Sequence, residues 1–342
     1  MSEATGPPLL SVRNLKTYFA QDEGTVKAVD GVSFDLAAGR TLGVVGESGC
    51  GKSMTARSIL RIVDRPGRIV EGEIRFRRRV SGPGPAAADG VVDLATLDPN
   101  GPEMRAIRGA EIALIFQEPM SSFSPVHTIG SQIVEAIMLH QQVNRRQARE
   151  KTIDMLRRVG VSLPEQRVDQ LANQLSGGLR QRAMIAMALS CQPVLLIADE
   201  PTTALDVTTQ TQILELMRQL QREDGMAIML ITHDLGVIAD MATDVAVMYL
   251  GRVVEQAPVE AIFYAPKHPY TQALLRSIPR IGARSRERLQ PIAGSVPHPY
   301  DRPTGCPFHP RCASFIAGTC DQREPALRPV GDRHAVSCFL YE

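Results

Sequence analysis

The chain has 342 residues, 44% of them hydrophobic, enough to bury a large core as one domain with an appendage or as two domains. Lys plus Arg number 38 against 37 Asp plus Glu, and a net charge of +1 excludes a global attraction to nucleic acid or anionic lipid. No stretch reaches the roughly 18 uninterrupted apolar residues of a membrane span, and Met1 to Leu10 lacks a basic region followed by an apolar core. The expected location is therefore the cytosolic side, with any membrane contact made through a protein partner.

In chain order, Leu10, Val12 and Leu15 alternate with polar neighbours, and Ala28 to Leu36 repeats the pattern, so two short strands and a turn are expected between Leu9 and Leu36. The apolar run Thr41 to Val45 predicts a strand ending in a glycine-rich turn. Helical spacing follows over Lys52 to Val63, through Ile59, Leu60 and Ile62. Arg77 to Pro102, dense in Arg, Gly, Pro and Ala, reads as a surface excursion. A strand is expected at Ile112 to Phe116, and a mostly helical insertion from Ile129 to Leu175. The continuous apolar run Val194 to Ala198 predicts a buried parallel strand, followed by a helix over Thr208 to Gln221 and a strand over Ala227 to Ile231. Beyond about Gln256 the chain turns rich in Pro, Arg and Cys, and no repeat of solenoid period is visible.

Gly46-Glu-Ser-Gly-Cys-Gly-Lys-Ser53 fits the G-x-x-x-x-G-K-[ST] pattern between a predicted strand and a predicted helix. Glycines let the backbone wrap so that its N–H groups and the helix N-terminus face phosphate oxygens. Lys52 adds a point charge for the β and γ phosphates, and the Ser53 hydroxyl is a ligand for Mg²⁺. The ATP-binding stretch then comprises Gly46, Glu47, Ser48, Gly49, Cys50, Gly51, Lys52, Ser53 and Met54. Downstream, Asp199 and Glu200 close a buried strand, where carboxylates face the ligand crevice of a parallel sheet. Asp199 is placed to hold Mg²⁺ and Glu200 to take a proton from attacking water, although either residue alone reads equally as a helix cap.

Leu175-Ser-Gly-Gly-Leu-Arg-Gln-Arg182 resembles the signature of the ABC transporter ATPases. By themselves Ser176 is a good helix N-cap and Gly177 and Gly178 a turn. The resemblance implies that these groups meet ATP bound to a second ATPase subunit. It also implies that Gln117 touches Mg²⁺ and water, that Asp206 lies in the loop linking two sites, and that His233 contacts the γ-phosphate. The resemblance further implies that Phe19, with Tyr18 as the alternative, stacks on adenine, although an aromatic there reads equally as a core residue of the first strand. The implied fold is a RecA-like α/β P-loop ATPase core with an antiparallel β subdomain. Residues 1–256 form the nucleotide-binding domain, a helical subdomain is inserted at about 118–175, and 257–342 form a cysteine-containing C-terminal extension.

Phe116 to Val126, Ala198 to Asp206 and His268-Pro-Tyr-Thr-Gln-Ala-Leu-Leu275 together resemble the dipeptide, oligopeptide and nickel importer ATPases over nearly the whole chain. Two departures stand out: Phe123-Ser-Pro125 replaces the family's Leu-Asn-Pro, and the stretch Ser81 to Pro102 is long. The resemblance implies an ATPase on the cytoplasmic face of the inner membrane that couples hydrolysis to uptake of peptides. Its partners are two transmembrane permeases, a second and non-identical ATPase and an extracytoplasmic substrate-binding protein, with no nucleic acid. Import of nickel or another small solute is the alternative. A soluble ABC ATPase is disfavoured by the single cassette, and a silent subunit by Glu200 and His233.

In a cytosolic chain the six cysteines are expected as thiols or metal ligands. Cys306, Cys312, Cys320 and Cys338 follow a C-x5-C-x7-C-x17-C spacing that suits tetrahedral zinc or a [4Fe–4S] cluster and matches no common zinc fold. The importer resemblance implies the cluster; zinc and reduced thiols or disulfides stay open. Cys50 and Cys191 are expected to be small packing residues.

Overall fold

The computed structural model describes residues 6–79, 90–117, 122–203, 205–277 and 292–342. Part of the excursion expected after Arg77, the residues that follow Gln117, and Ala204 lie outside these. The chain divides into two compact units, each assembled from separated segments. One, here the helical unit, comprises Met1–Leu9, Leu36–Arg40 and Phe76–Leu230. The other, the glycine-loop unit, comprises Leu10–Asp35, Thr41–Arg75 and Ile231–Glu342.

The glycine-loop unit opens with β1 (Leu10–Gln21) and β2 (Gly24–Leu36), which run to 12 and 13 residues and are longer than expected. Asn14, at φ 47, interrupts the alternation, so Val12 and Leu15 both reach the core although they are an odd number of positions apart. β3 (Thr41–Val45) is buried along its whole length and feeds α1 (Lys52–Ile59). This helix stops short of the expected Val63 because the chain reverses at Arg61, at φ 55. β4 (Gly67–Arg77) then lies beside β1, in the order β2-β1-β4.

The helical unit carries β5 (Val91–Asp93), α2 (Pro102–Ile107) and β6 (Ile112–Ile115). Next come α3 (Ile129–His140), α4 (Arg145–Arg158), α5 (Pro164–Arg167) and α6 (Gly177–Leu189). Local chemistry sets the helix starts: Thr128 caps α3, and Asn144 with Gln147 forms a capping box on α4. Ile133 and Ile137 of α3, Leu156 of α4 and Ile185 of α6 are all buried where these helices meet. β7 (Leu195–Asp199), α7 (Val207–Asp224) and β8 (Ala227–Ile231) complete the unit. β6 and β7 pair in parallel from Ile112 opposite Leu195 to Ile115 opposite Ala198, and β7 lies between β6 and β8. Leu195 to Ala198 are sealed from solvent on both faces, as the continuous apolar run requires.

The chain returns to the glycine-loop unit with α8 (Leu235–Met241), β9 (Asp244–Tyr249), β10 (Arg252–Pro258), α9 (Val259–Tyr264) and α10 (Pro269–Arg276). The cysteine-rich stretch then adds β11 (Arg328–Gly331) and β12 (His334–Val336). The strand order is β11-β12-β10-β9-β3, with β3 parallel to β9 and the other pairs antiparallel. The stretch expected as a cysteine-containing extension is thus built into the sheet that carries the glycine loop. A buried carboxylate holds that junction. Glu255 on β10 accepts from the N–H groups of Lys267 and His268 at 2.6 and 2.9 Å and meets His334 Nε2 at 2.7 Å. No described helix is long and apolar enough to cross a membrane.

Candidate functional site

Sterics dictate the glycine loop. Gly51 sits at φ 98, and a Cβ there would lie 2.2 Å from the Ala28 carbonyl; at Gly46 it would lie 2.2 Å from the Met248 carbonyl. α1 has Gly51 at its N-cap and no side-chain cap, and the first N–H groups of a helix, which have no partner within it, favour an anion. Lys52 is buried, and its Nζ donates to the carbonyls of Gly46 and Glu47 at 2.8 and 3.1 Å. Ser48 and Gly49 are exposed at the rim, and Ser53 and Met54 are half-buried in the first turn of α1. The Cys50 thiol is 2% exposed, and burial pushes its pKa up, in keeping with a packing role.

The two aromatic candidates have different environments. Tyr18 donates to Asp30 Oδ1 at 2.5 Å, and Asp30 is also paired with Arg252 at 2.9 Å and Arg302 at 2.7 Å. Burial and the Asp30 bond push the Tyr18 phenol up. Phe19 carries no such commitment; its half-buried ring covers Gly67, where an added Cβ would come within 2.5 Å of it. His233 is exposed in the turn before α8, whose first N–H groups are capped by Asp234.

In the helical unit, Asp199 is the buried last residue of β7. Glu200 follows at φ 49, a left-handed conformation uncommon for a residue with a side chain. Its Oε2 accepts from Gln117 Nε2 at 3.1 Å and from the Thr203 hydroxyl at 2.9 Å. Gln181 of α6, 1% exposed, donates to the Pro201 carbonyl. Ser176 caps α6 by accepting from the Leu179 N–H at 3.4 Å, with Gly177 exposed beside it and Gly178 next in the helix. Asp206 is exposed and caps α7 through the N–H and hydroxyl of Thr209, at 3.0 and 2.7 Å. The structure therefore brings Gln117 to Glu200, and gives Ser176 and Asp206 capping duties that leave them at the surface.

Cys306, Cys312, Cys320 and Cys338 are free thiols that line one small apolar cavity together with Phe308 and Phe339. Burial, reinforced by the other three thiols, pushes Cys306 up to about 11. Among the described residues, no group of three or more His, Cys, Asp or Glu side chains converges as the ligands of one metal ion would. Cys191 lies outside this set, with its thiol 3.7 Å from the Ala136 carbonyl.

Sequence reasoning missed Arg311 and Tyr270. Arg311 falls between two cysteines of the spacing and was given no role, and Tyr270 was visible only inside the importer-like segment after His268. Yet Tyr270 accepts the Glu47 N–H at 2.9 Å, and the guanidinium of Arg311 forks onto the Glu47 carboxylate.

The ABC transporter family matches residues 29–203, and the oligopeptide/dipeptide transporter C-terminal region matches 254–320. The probable peptide ABC transporter ATP-binding protein y4tR of Sinorhizobium fredii is 47% identical over 97% of this chain and 94% of its own length. The dipeptide transport ATP-binding protein DppD of Escherichia coli is 45% identical over 96% of both chains. Among solved structures, the dimeric ATP-binding cassette MJ0796 bound to ADP and Pi aligns with a TM-score of 0.62 and 25% identity, covering 73% of this chain and 98% of that one. With these matches, the chain belongs to the ABC transporter family and has its ATPase cassette fold.

Proposed function

We propose that this chain is the ATP-hydrolysing subunit of an ABC importer for di- or oligopeptides. The observation that carries the reading is a single chain holding both a glycine loop shaped for phosphate and the oligopeptide/dipeptide-type C-terminal region, with 96 to 97% of the chain aligned to peptide and dipeptide ATP-binding proteins. In this reading residues 1–256 form the ATPase domain and 257–342 its importer-specific extension.

Phe19 takes the adenine, and Gly46 to Met54 take the phosphates. Lys52 exchanges its two carbonyl partners for phosphate oxygens. Glu200 accepts the proton of the attacking water, and Gln117, which already donates to it, orients that water. His233 reaches the γ-phosphate. Ser176, Gly177, Gly178 and Asp206 serve the ATP of the second subunit, for which the exposure of Ser176, Gly177 and Asp206 and the half-buried place of Gly178 leave them available. Ser53, Gln117 and Asp199 each carry an oxygen donor of the hard kind that Mg²⁺ prefers, and a bound Mg²⁺ would neutralise phosphate charge.

The two permeases dock on the helical unit. An open groove of about 460 Å³ lies between the segment at Ser124–His127 and α3, with Met138 and Leu139 exposed at its edge. Phe123, where the chain departs from the family's Leu-Asn-Pro, is buried, while Ser124 faces the groove and pairs with His127. The chain thereby sits on the cytoplasmic face of the membrane, beside a second ATPase and fed by an extracytoplasmic binding protein. Co-purification with the permeases and stimulation of ATPase activity by peptide-loaded binding protein test the assignment; stimulation by nickel instead of peptide would redirect it.

A [4Fe–4S] cluster at the four cysteines is part of this reading, supported by two observations: all four thiols line one apolar cavity, and their C-x5-C-x7-C-x17-C spacing matches no common zinc fold. When bound, a cluster supplies four sulfur–iron links that tie together the loops carrying Cys306, Cys312, Cys320 and Cys338.

A further inference from the structure

We infer that the C-terminal extension clamps the nucleotide half-site, with Arg311 as a positioning residue that acts through Glu47 of the glycine loop. The inference rests on the reading of Gly46 to Ser53 as the ATP phosphate loop. Arg311 Nη1 and Nη2 donate to Glu47 Oε2 and Oε1 at 2.7 and 3.0 Å, a fork-on-fork pair whose Arg side chain is 4% exposed. The guanidinium is itself fixed: Nε donates to the Ala293 carbonyl at 3.0 Å and Nη1 to the Tyr249 hydroxyl at 3.3 Å. It also stands 5.8 Å from the Tyr249 ring centre and 6.0 Å from that of Phe308.

Glu47 is thereby held at three points. Its carboxylate meets Arg311, its N–H donates to Tyr270, and its carbonyl accepts from Lys52. Tyr249, Tyr270 and Phe308 pack on one another with ring centres 4.8 to 5.3 Å apart, so the first two holds share one rigid aromatic support. The third must break when Lys52 turns to a phosphate. The other two then keep the loop in its wrapped shape, and the cost of ordering it has been met before ATP arrives.

A second anchor of the same extension reaches the strand that bears the adenine-side aromatic. Tyr300 donates to Gln21 and its ring lies 3.4 Å from where a Gly24 Cβ would stand, while Arg302 pairs with Asp30, the partner of Tyr18. One segment of chain, from Tyr300 to Arg311, thus holds both ends of the half-site. Because the clamp residues belong to the glycine-loop unit, whereas Glu200 and Gln117, assigned above to the chemical step, belong to the helical unit, its loss is expected to weaken nucleotide binding and spare that step.

The test is titration of the full chain with a fluorescent ATP analogue and Mg²⁺, with the ATPase KM and kcat of the assembled transporter measured in parallel. Arg311→Ala should weaken binding and raise KM about tenfold with kcat within about twofold, Glu47→Gln should weaken binding by a similar factor, and the double variant should be no weaker than either. Arg311→Lys should recover part of the loss, because it restores the charge without the fork. Binding by Arg311→Ala within about twofold of wild type, or losses that multiply in the double variant, would overturn the clamp. If Arg311→Ala fails to fold, Arg311→Gln, which keeps most of the side chain's volume and loses the charge and the fork, takes its place with the same expected loss and the same overturning result. Lys52→Ala tests the loop itself: wild-type chain that binds no ATP sinks the phosphate-loop reading, whereas ATP binding lost in Lys52→Ala and kept in Arg311→Ala sinks only the clamp.

Discussion

Gln117 donates to Glu200 across 3.1 Å, and it does so to a carboxylate whose own backbone is in the left-handed region at φ 49. A buried strand that ends on such a residue stores backbone strain of about 1–3 kcal/mol, held here by Gln117, Thr203 and the Gln181 bond to the next residue, Pro201. The carboxylate is therefore aimed by its neighbours, a property useful to a base that must meet one water molecule.

Glu200→Gln keeps the size and the hydrogen-bonding reach of the side chain but removes the basic oxygen. ATP binding is expected to survive while turnover falls by about 100-fold or more, leaving the assembly trapped with nucleotide bound. Steady-state ATPase assays with a count of retained nucleotide check this, and turnover near the wild-type rate would remove Glu200 from the role.

Gly51→Ala places a methyl group 2.2 Å from the Ala28 carbonyl at φ 98, where neither the backbone nor the torsion can give way cheaply. A stability loss of about 2 kcal/mol or more, with loss of ATP binding, is expected. Urea unfolding followed by nucleotide titration measures both; a variant as stable as wild type would show that the loop has room to rearrange.

The sequence showed these parts unequally, for physical reasons. Thr41–Val45 and Ala227–Ile231 were found to the residue because continuous apolar runs become strands buried on both faces. The phosphate loop was legible because only glycine tolerates its torsions and close approaches. The lengths of β1 and β2 and the early end of α1 were not, since Asn14 and Arg61 adopt positive φ without the glycine that would have announced it. Arg311 and Tyr270 were hidden more deeply. Their partner Glu47 lies 264 and 223 positions away, and no local spacing encodes a pairing of that range.

Chain purified without oxygen is expected to carry about four iron and four sulfide per chain with a broad visible absorbance, and Cys306→Ser or Cys320→Ser to lose both. The two are chosen because their thiols are the most buried of the four, so water cannot stand in for a missing ligand. Colourless wild-type protein with one zinc per chain would assign the cavity to zinc, and metal-free protein would leave it a packing site.

Asp30 sets the behaviour of the adenine side in acid. It is 5% exposed, and against burial, which opposes ionisation, the Tyr18 hydroxyl and the guanidiniums of Arg252 and Arg302 hold its carboxyl below the usual range. The folded chain thus releases this proton more readily than the unfolded one. The stabilisation is complete above the unfolded value of about 3.9 and is lost as pH falls below it towards the lower folded value. Asp30→Asn takes from Arg302 its carboxylate partner, while Arg252 keeps Glu324 at 2.6 Å, and should cost about 3 kcal/mol at pH 7. The gap between wild type and variant should stay constant from pH 7 to about 5 and narrow below about 4, because protonated wild type then resembles the variant. Urea unfolding of both chains across that range measures the gap, and a gap that widened in acid would mean that the folded-state carboxyl titrates above its ordinary value.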